Sequence, residues 1–229
     1  MWVKNLFKIL KEDVVIPRTL FEGSSTISGQ VKVVESLGVR RLLVDGLTQS
    51  ISIDRLDKTG GYWDSIVQLA VSRLKLGDKI LVLGLGGGTL PKLFTRNLGP
   101  IKIDTVEIDP LIVDLAKKYF NLVEDNIKIY ISDAANFLNA TSEKYNFICV
   151  DTYIGNKIPE SCQTNNFFDN LFHRLEENGT IILNRIFHQD ATKELNDFIK
   201  LLKNWYSRVY YIKHPGYFRS DNVIVWCQS

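Results

Sequence analysis

The stretch Lys79-Ile80-Leu81-Val82-Leu83-Gly84-Leu85-Gly86-Gly87-Gly88-Thr89 decides how the rest of the chain reads. Ile80 to Leu83 is an apolar run of strand length without alternation, the mark of a strand covered on both faces. It leads directly into four glycines in five positions, and a helical pattern with Pro91 near its start follows. Glycines let the backbone turn tightly and let a ligand approach the main chain beside the amides of a helix N-terminus. A bare strand-to-helix turn also uses glycine, but it does not require four.

Downstream of this loop the same alternation repeats. Apolar runs at Ile101 to Val106, Ile127 to Ile131, Phe147 to Val150 and Thr180 to Asn184 read as strands. Helical patterns fall near 90–98, 110–120, 134–140, 165–176 and 190–205, with Pro110 placed for a first helical turn. Strands alternating with helices predict an α/β fold with a mostly parallel sheet. Val209 to Lys213 and Asn222 to Cys227, joined through His214-Pro215-Gly216, add an antiparallel hairpin and make a seven-stranded sheet. Upstream, Gln30 to Ser36, Val39 to Val44 and Thr48 to Ile53 are short β-branched runs broken by Leu37-Gly38 and Asp45-Gly46, which predicts a small antiparallel meander. A linking helix from Tyr62 follows Gly60-Gly61, so the organisation expected is a β domain over 1–60 and a nucleoside-binding domain over 61–229.

Bulk properties narrow the function classes. The 229 residues are 45% hydrophobic and 24% charged, ordinary for a globular chain. A net charge of +2 is too small to steer a polyanion, so nucleic-acid binding is not implied. No apolar run approaches the roughly 20 residues needed to cross a bilayer, and Lys4 and Lys8 interrupt the segment Met1 to Leu10 where a signal peptide needs an apolar stretch. A cytoplasmic protein is expected. Cys149, Cys162 and Cys227 lack metal-ligand spacing, so neither a disulfide framework nor a bound metal is expected.

Acids recur where such folds bind ligands. The second strand of the α/β part ends in Glu107-Ile108-Asp109, the third in Ser132-Asp133-Ala134 and the fourth in Asp151-Thr152-Tyr153. Glu107 lies 23 residues after Gly84, where this topology presents a carboxylate to a ribose diol. Asp133 alone reads equally as a helix cap. Thr89 stands where a dinucleotide fold wants its third glycine, whereas Gly84, Gly86 and Gly88 give the spacing of sulfonium-nucleoside transferases. A nicotinamide or flavin enzyme is the weaker reading.

These residues resemble the polyamine aminopropyltransferases, the spermidine synthase family, which share the Rossmann-like S-adenosylmethionine methyltransferase fold and carry a small N-terminal β domain. The likeness runs through Leu42 to Gly46 with Gln49, Tyr62, Leu81 to Gly88, Val106 to Asp109, Asp133-Ala134, Val150-Asp151, Pro159 and Phe167-Phe168. It implies that Glu107 binds the ribose hydroxyls, that Asp133 and Ala134 contact the adenine, and that Asp151 takes the place of the proton-accepting aspartate. Tyr62, Tyr153 and Tyr217 become candidate substrate contacts, and a homodimer formed through the β domain is implied. Three stretches depart from the pattern. Gly87 stands where the family's loop carries an Asp that recognises the amine of decarboxylated S-adenosylmethionine. Ile154 replaces the second acid of Asp-x-x-Asp, and Tyr62-Trp63-Asp64 replaces Tyr-His-Glu.

Like charges 4 Å apart cost about 4 kcal/mol at an effective dielectric of about 20, so an Asp at position 87 would repel the carboxylate of intact S-adenosylmethionine. Its loss relaxes that discrimination. An ammonium desolvated without a paired charge is unfavourable, so putrescine is disfavoured as the acceptor. The expectation is therefore a transferase using S-adenosylmethionine or its decarboxylated form, with methyl transfer to an unidentified acceptor ahead of aminopropyl transfer to an amine. A non-catalytic nucleoside-binding module is the reading from another class. His188 reads as a solvated loop residue, and the basic and aromatic residues between Lys200 and Arg219 as the core and edge of a terminal strand pair.

Overall fold

A computed structural model of the chain describes residues 16–155, 157–216 and 219–228. Tyr217 and the segment Met1 to Leu10 lie outside the described residues. Four strands come first, β1 (Arg18–Ser25), β2 (Gly29–Ser36), β3 (Val39–Val44) and β4 (Leu47–Ile51), paired antiparallel in chain order. Three of them match the predicted meander. β1 is additional, because Arg-Thr-Leu-Phe-Glu-Gly-Ser-Ser carries too little β-branched character to read as a strand and forms one by pairing with β2.

Helix α1 (Tyr62–Val71) leads into the second layer: β5 (Lys79–Leu83), α2 (Thr89–Leu98), β6 (Lys102–Glu107), α3 (Pro110–Phe120), β7 (Ile127–Ile131), α4 (Ala134–Ala140), β8 (Tyr145–Val150), α5 (Asn165–His173), β9 (Leu175–His188), α6 (Thr192–Leu202), β10 (Arg208–Pro215) and β11 (Ser220–Gln228). The seven strands run in the order β10-β11-β9-β8-β5-β6-β7. β5 to β9 are parallel, while β11 is antiparallel to β9 and β10 to β11. This is the Rossmann-like methyltransferase architecture with its terminal hairpin. The helix expected over 165–176 ends at His173, and β9 begins at Leu175 rather than at Thr180.

β5 sits at the centre of the sheet, and Ile80, Leu81, Val82 and Leu83 are wholly buried. Leu81 and Leu83 face one apolar cluster with α4 and α5, whereas Ile80 and Val82 face another with α1 and α2. That two-sided burial explains the uninterrupted apolar run. The small sheet packs Val31, Val33, Leu42 and Val44 against Ile112, Leu115 and Phe120 of α3. Polar ties reinforce the contact: Ser28 donates to Asp109 at 2.5 Å, and Arg40 donates to the Tyr119 carbonyl at 2.6 Å. Asp109 also caps α3 by accepting from the Leu111 amide, ahead of Pro110 in the first turn. Among the described residues no helix is long and apolar enough to cross a membrane.

Candidate active site

β5 pairs with β6 on one side and β8 on the other, so the chain leaves it at the point where the connections diverge. Open α/β sheets bind ligands in the crevice this creates. The glycine loop after β5 and the segment after β8 meet there. The Asp151 amide donates to the Leu83 carbonyl at 2.8 Å. Gly84 has a φ of 96°, and a Cβ built on it would lie 2.2 Å from the Asp151 carbonyl oxygen, so no other residue fits.

The loop is held from outside the sheet. Ser50 of β4 accepts from the Gly87 amide at 2.7 Å, and Thr89 exchanges hydrogen bonds with the backbone of Ile51 at 2.8 and 3.1 Å. Gly86 abuts the same serine, where a Cβ would come within 2.5 Å of its hydroxyl. From below, Glu107 at the end of β6 accepts from the amides of Leu85 at 3.1 Å, Gly86 at 3.2 Å and Asp109 at 3.1 Å. Burial pushes the Glu107 carboxyl above its ordinary value, and these amides pull against that rise.

Two cavities meet at Gly84, Glu107 and Tyr153. A narrow recess of about 30 Å³ is lined by Ile108, Asp133, Ala134, Ile154, Pro159 and Cys162 among others. A broad cleft of about 1100 Å³ extends past Gly86, Gln49, Tyr62, Asp151 and Asn184. The cleft is spacious for an adenosyl ligand, while the recess is too tight for a purine unless its wall of Ile154 and Pro159 gives way. Glu107 at the junction, the Gly84 backbone lining both cavities and the acids beyond fit an adenosyl-sulfonium group. Among the described residues no group of three or more His, Cys, Asp or Glu is gathered to hold a metal.

Asp151 dominates the cleft. Its Oδ2 accepts from the Tyr62 hydroxyl at 2.9 Å and its Oδ1 from the Asn184 side chain at 2.7 Å. Burial pushes the Asp151 carboxyl above the ordinary range, and the Asn184 and Tyr62 donors oppose that shift. Tyr62 starts α1, and its ring lies tilted against that of Trp63 with centres 4.6 Å apart. Burial and the facing Asp151 raise its phenol well above the ordinary value, so it stays a donor. Tyr153 lines both cavities and accepts from the Ile186 amide at 2.8 Å, which fixes its ring beside β9.

The structure thus brings Gly84, Gly86, Glu107, Tyr62, Asp151 and Tyr153 to one cleft, and Asp133 with Ala134 to the adjoining recess. Asp133 also caps α4 through Asn136 and accepts from Ser161, so both of its oxygens already have partners. Gly88 belongs to neither wall: it is the left-handed N-cap of α2, and its amide donates to Leu85. Gly87 corrects a second expectation. A Cβ there would meet Phe120 and Ser50 at 3.0 Å, so the missing side chain opens no space in the cleft. Asp64 accepts from Thr59 and Gly60 ahead of α1 and lines neither cavity, which makes it a local turn residue. His188 pairs with exposed Asp190 away from the site. Asn184 was not anticipated, being read as the last residue of a strand; its place beside the strand that ends in Asp151 was the available signal.

Residues 60–229 match the family described as the spermine/spermidine synthase domain. A polyamine aminopropyltransferase of Vibrio vulnificus is 31% identical over 111 residues, covering 47% of this chain and 37% of that protein. The chain therefore spans well under half the length of that relative. A polyamine aminopropyltransferase of Buchnera aphidicola is 25% identical over 98% of the chain and 80% of its own length. Among solved structures, the spermidine synthase of Thermotoga maritima aligns with a TM-score of 0.72 at 16% identity, covering 92% of this chain and 72% of that one.

Proposed function

Since this chain belongs to the spermine/spermidine synthase family, a family of transferases, we propose that it transfers an aminopropyl group from decarboxylated S-adenosylmethionine to an amine held at Asp151. The observation that carries the reading is the Asp151 carboxylate, fixed by Tyr62 and Asn184 on the wall of a cleft that also contains Glu107 and the glycine loop. Methyl transfer, expected from the sequence departures, loses its main support: position 87 does not open toward the cleft, and the matched relatives are named as aminopropyltransferases.

In this reading Glu107 faces the ribose, while Asp133 and Ala134 face the base from the recess. Asp151 accepts a hydrogen bond from the amine and takes its proton as the nitrogen–carbon bond forms and the carbon–sulfur bond breaks. The donor supplies the electrophilic carbon and departs as a neutral thioether. Tyr62 and Asn184 keep the carboxylate in one orientation, the positioning that dominates such displacements. β1 lies at the edge of the small sheet among the described residues, which supports a homodimer, checked by light scattering.

The test incubates the protein with the decarboxylated donor and a panel of amines, and follows release of methylthioadenosine. Asp151→Asn is expected to slow release about 1000-fold, within the range for a positioned general base. Its fold should survive, because Asn184 can turn its amide to serve the new side chain. Adenosylhomocysteine from intact S-adenosylmethionine, without methylthioadenosine from the decarboxylated form, overturns the proposal.

A further inference from the structure

Charge is sparse along the broad cleft. His214 apart, the charged side chains among its described lining residues are Arg41, Glu107 and Asp151. Glu107 is engaged by three amides, which leaves one acid and one base to meet whatever enters. The acid is Asp151, held by Tyr62 and Asn184. The base is Arg41 of β3, which is half-buried and makes no hydrogen bond or ion pair among the described residues. β4 ties this part of the small sheet to the acid. Gln49 lies where the β3–β4 register shifts, and its side chain donates to the carbonyl of Gly155, four residues past Asp151, at 2.9 Å. Arg41 is opposite Ile51, two residues on from Gln49. A strand spacing of about 4.8 Å and a rise of about 3.4 Å per residue put the Arg41 and Gln49 backbones roughly 8 Å apart.

A cleft made for a polycation gains from acids along its wall, because like charges in a partly desolvated site repel. Here an unpaired guanidinium stands on that wall. Its planar fork of donors matches the two oxygens of a carboxylate, and such charge-assisted pairs are stronger than neutral hydrogen bonds. One free acid and one free base complement a molecule that is an amine at one end and a carboxylate at the other. We propose that the acceptor is an amine of amino-acid type, its nucleophilic nitrogen at Asp151 and its carboxylate on Arg41, so that Arg41 selects against plain diamines. The proposal rests on the aminopropyl-transfer reading, in which the donor has lost its own carboxylate and cannot fill that place. It also accounts for Ile154, which lines the recess rather than the cleft: an acceptor with a carboxylate at its far end needs no second acid there.

Calorimetry with methylthioadenosine present tests this without turnover, comparing L-ornithine with 1,4-diaminobutane, which is the same molecule without the carboxylate. The wild type is expected to bind ornithine at least tenfold more tightly. Arg41→Gln should erase that preference, and Arg41→Lys, which keeps the charge and loses the fork, should recover part of it. Arg41 is half-exposed and unpaired among the described residues, so neither variant is expected to unfold the small sheet. No preference for ornithine in the wild type, or a preference unchanged in Arg41→Gln, overturns the proposal. So does a change in Arg41→Gln that appears only in the ratio of affinities for intact and decarboxylated donor, which assigns the carboxylate to the donor instead. The two readings separate cleanly: an Arg41-dependent preference for ornithine without methylthioadenosine release from the decarboxylated donor keeps the carboxylate site and removes aminopropyl transfer. Asp151-dependent release without that preference does the reverse.

Discussion

The two ends of the cleft follow opposite rules of satisfaction. At the nucleoside end every acid is already engaged: Glu107 by three amides, Asp133 by Asn136 and Ser161, Asp109 by Leu111 and Ser28. At the acceptor end Asp151 has two donors, but Asn184 Oδ1 and His214 Nε2 have none among the described residues. At the first end Glu107 braces the glycine loop, while Asp133 and Asp109 cap the helices that follow. The second end keeps two buried polar atoms that nothing among the described residues pairs.

The comparison breaks most severely at Gly84. Gly84→Ala drives a Cβ into the Asp151 carbonyl at a positive φ, and a loss of about 3 kcal/mol or more in chemical denaturation is expected. Glu107→Gln is next: it sets an NH2 group against loop amides that need an acceptor, and about 1–3 kcal/mol of stability should go with nucleoside affinity. A stability unchanged in that variant would mean the nucleoside end is not preset. The acceptor end responds through titration. Asp151 has its carboxyl raised in the fold, so the folded protein holds that proton more tightly than the unfolded chain does. Its contribution therefore lowers stability as pH rises from the ordinary carboxylate value through the raised one. Asp151→Asn should flatten this part of the melting-temperature profile. Tyr62→Phe removes one of the donors that oppose the rise, so the acid limb of the kcat profile is expected to move to still higher pH. The smallest effect on binding belongs to Gly87→Asp. Crowding by Phe120 and Ser50 should cost about 1–3 kcal/mol, with little change in the ratio of affinities for intact and decarboxylated donor.

The parallel sheet was legible because burial on both faces leaves uninterrupted apolar runs, as in β5 and β8, and because proline and aspartate mark the start of α3. β1 was not, since its pairing with β2 forms a strand from residues that do not announce one. Strand-end acids placed Glu107, Asp133 and Asp151 at the crevice. The partners of Asp151 were hidden, because Tyr62 and Asn184 come from distant parts of the chain and only the fold brings them near. Gly87 shows the limit from the other side: its position in the loop was readable, but the direction of its missing side chain depends on Phe120 of α3 and Ser50 of β4. His214 read as part of a turn with Pro215 and Gly216, and it lies on β10 over the cleft.

The bonds from Ser50 and Ile51 to the glycine loop make the small sheet a clamp rather than an attachment. The stretch that matches the family begins at residue 60, beyond that clamp. A fragment cut there would keep the seven-stranded sheet and Asp151 yet leave the Gly87 amide and the Thr89 hydroxyl without their braces. Anyone grafting this loop onto another scaffold would have to carry β4 with it.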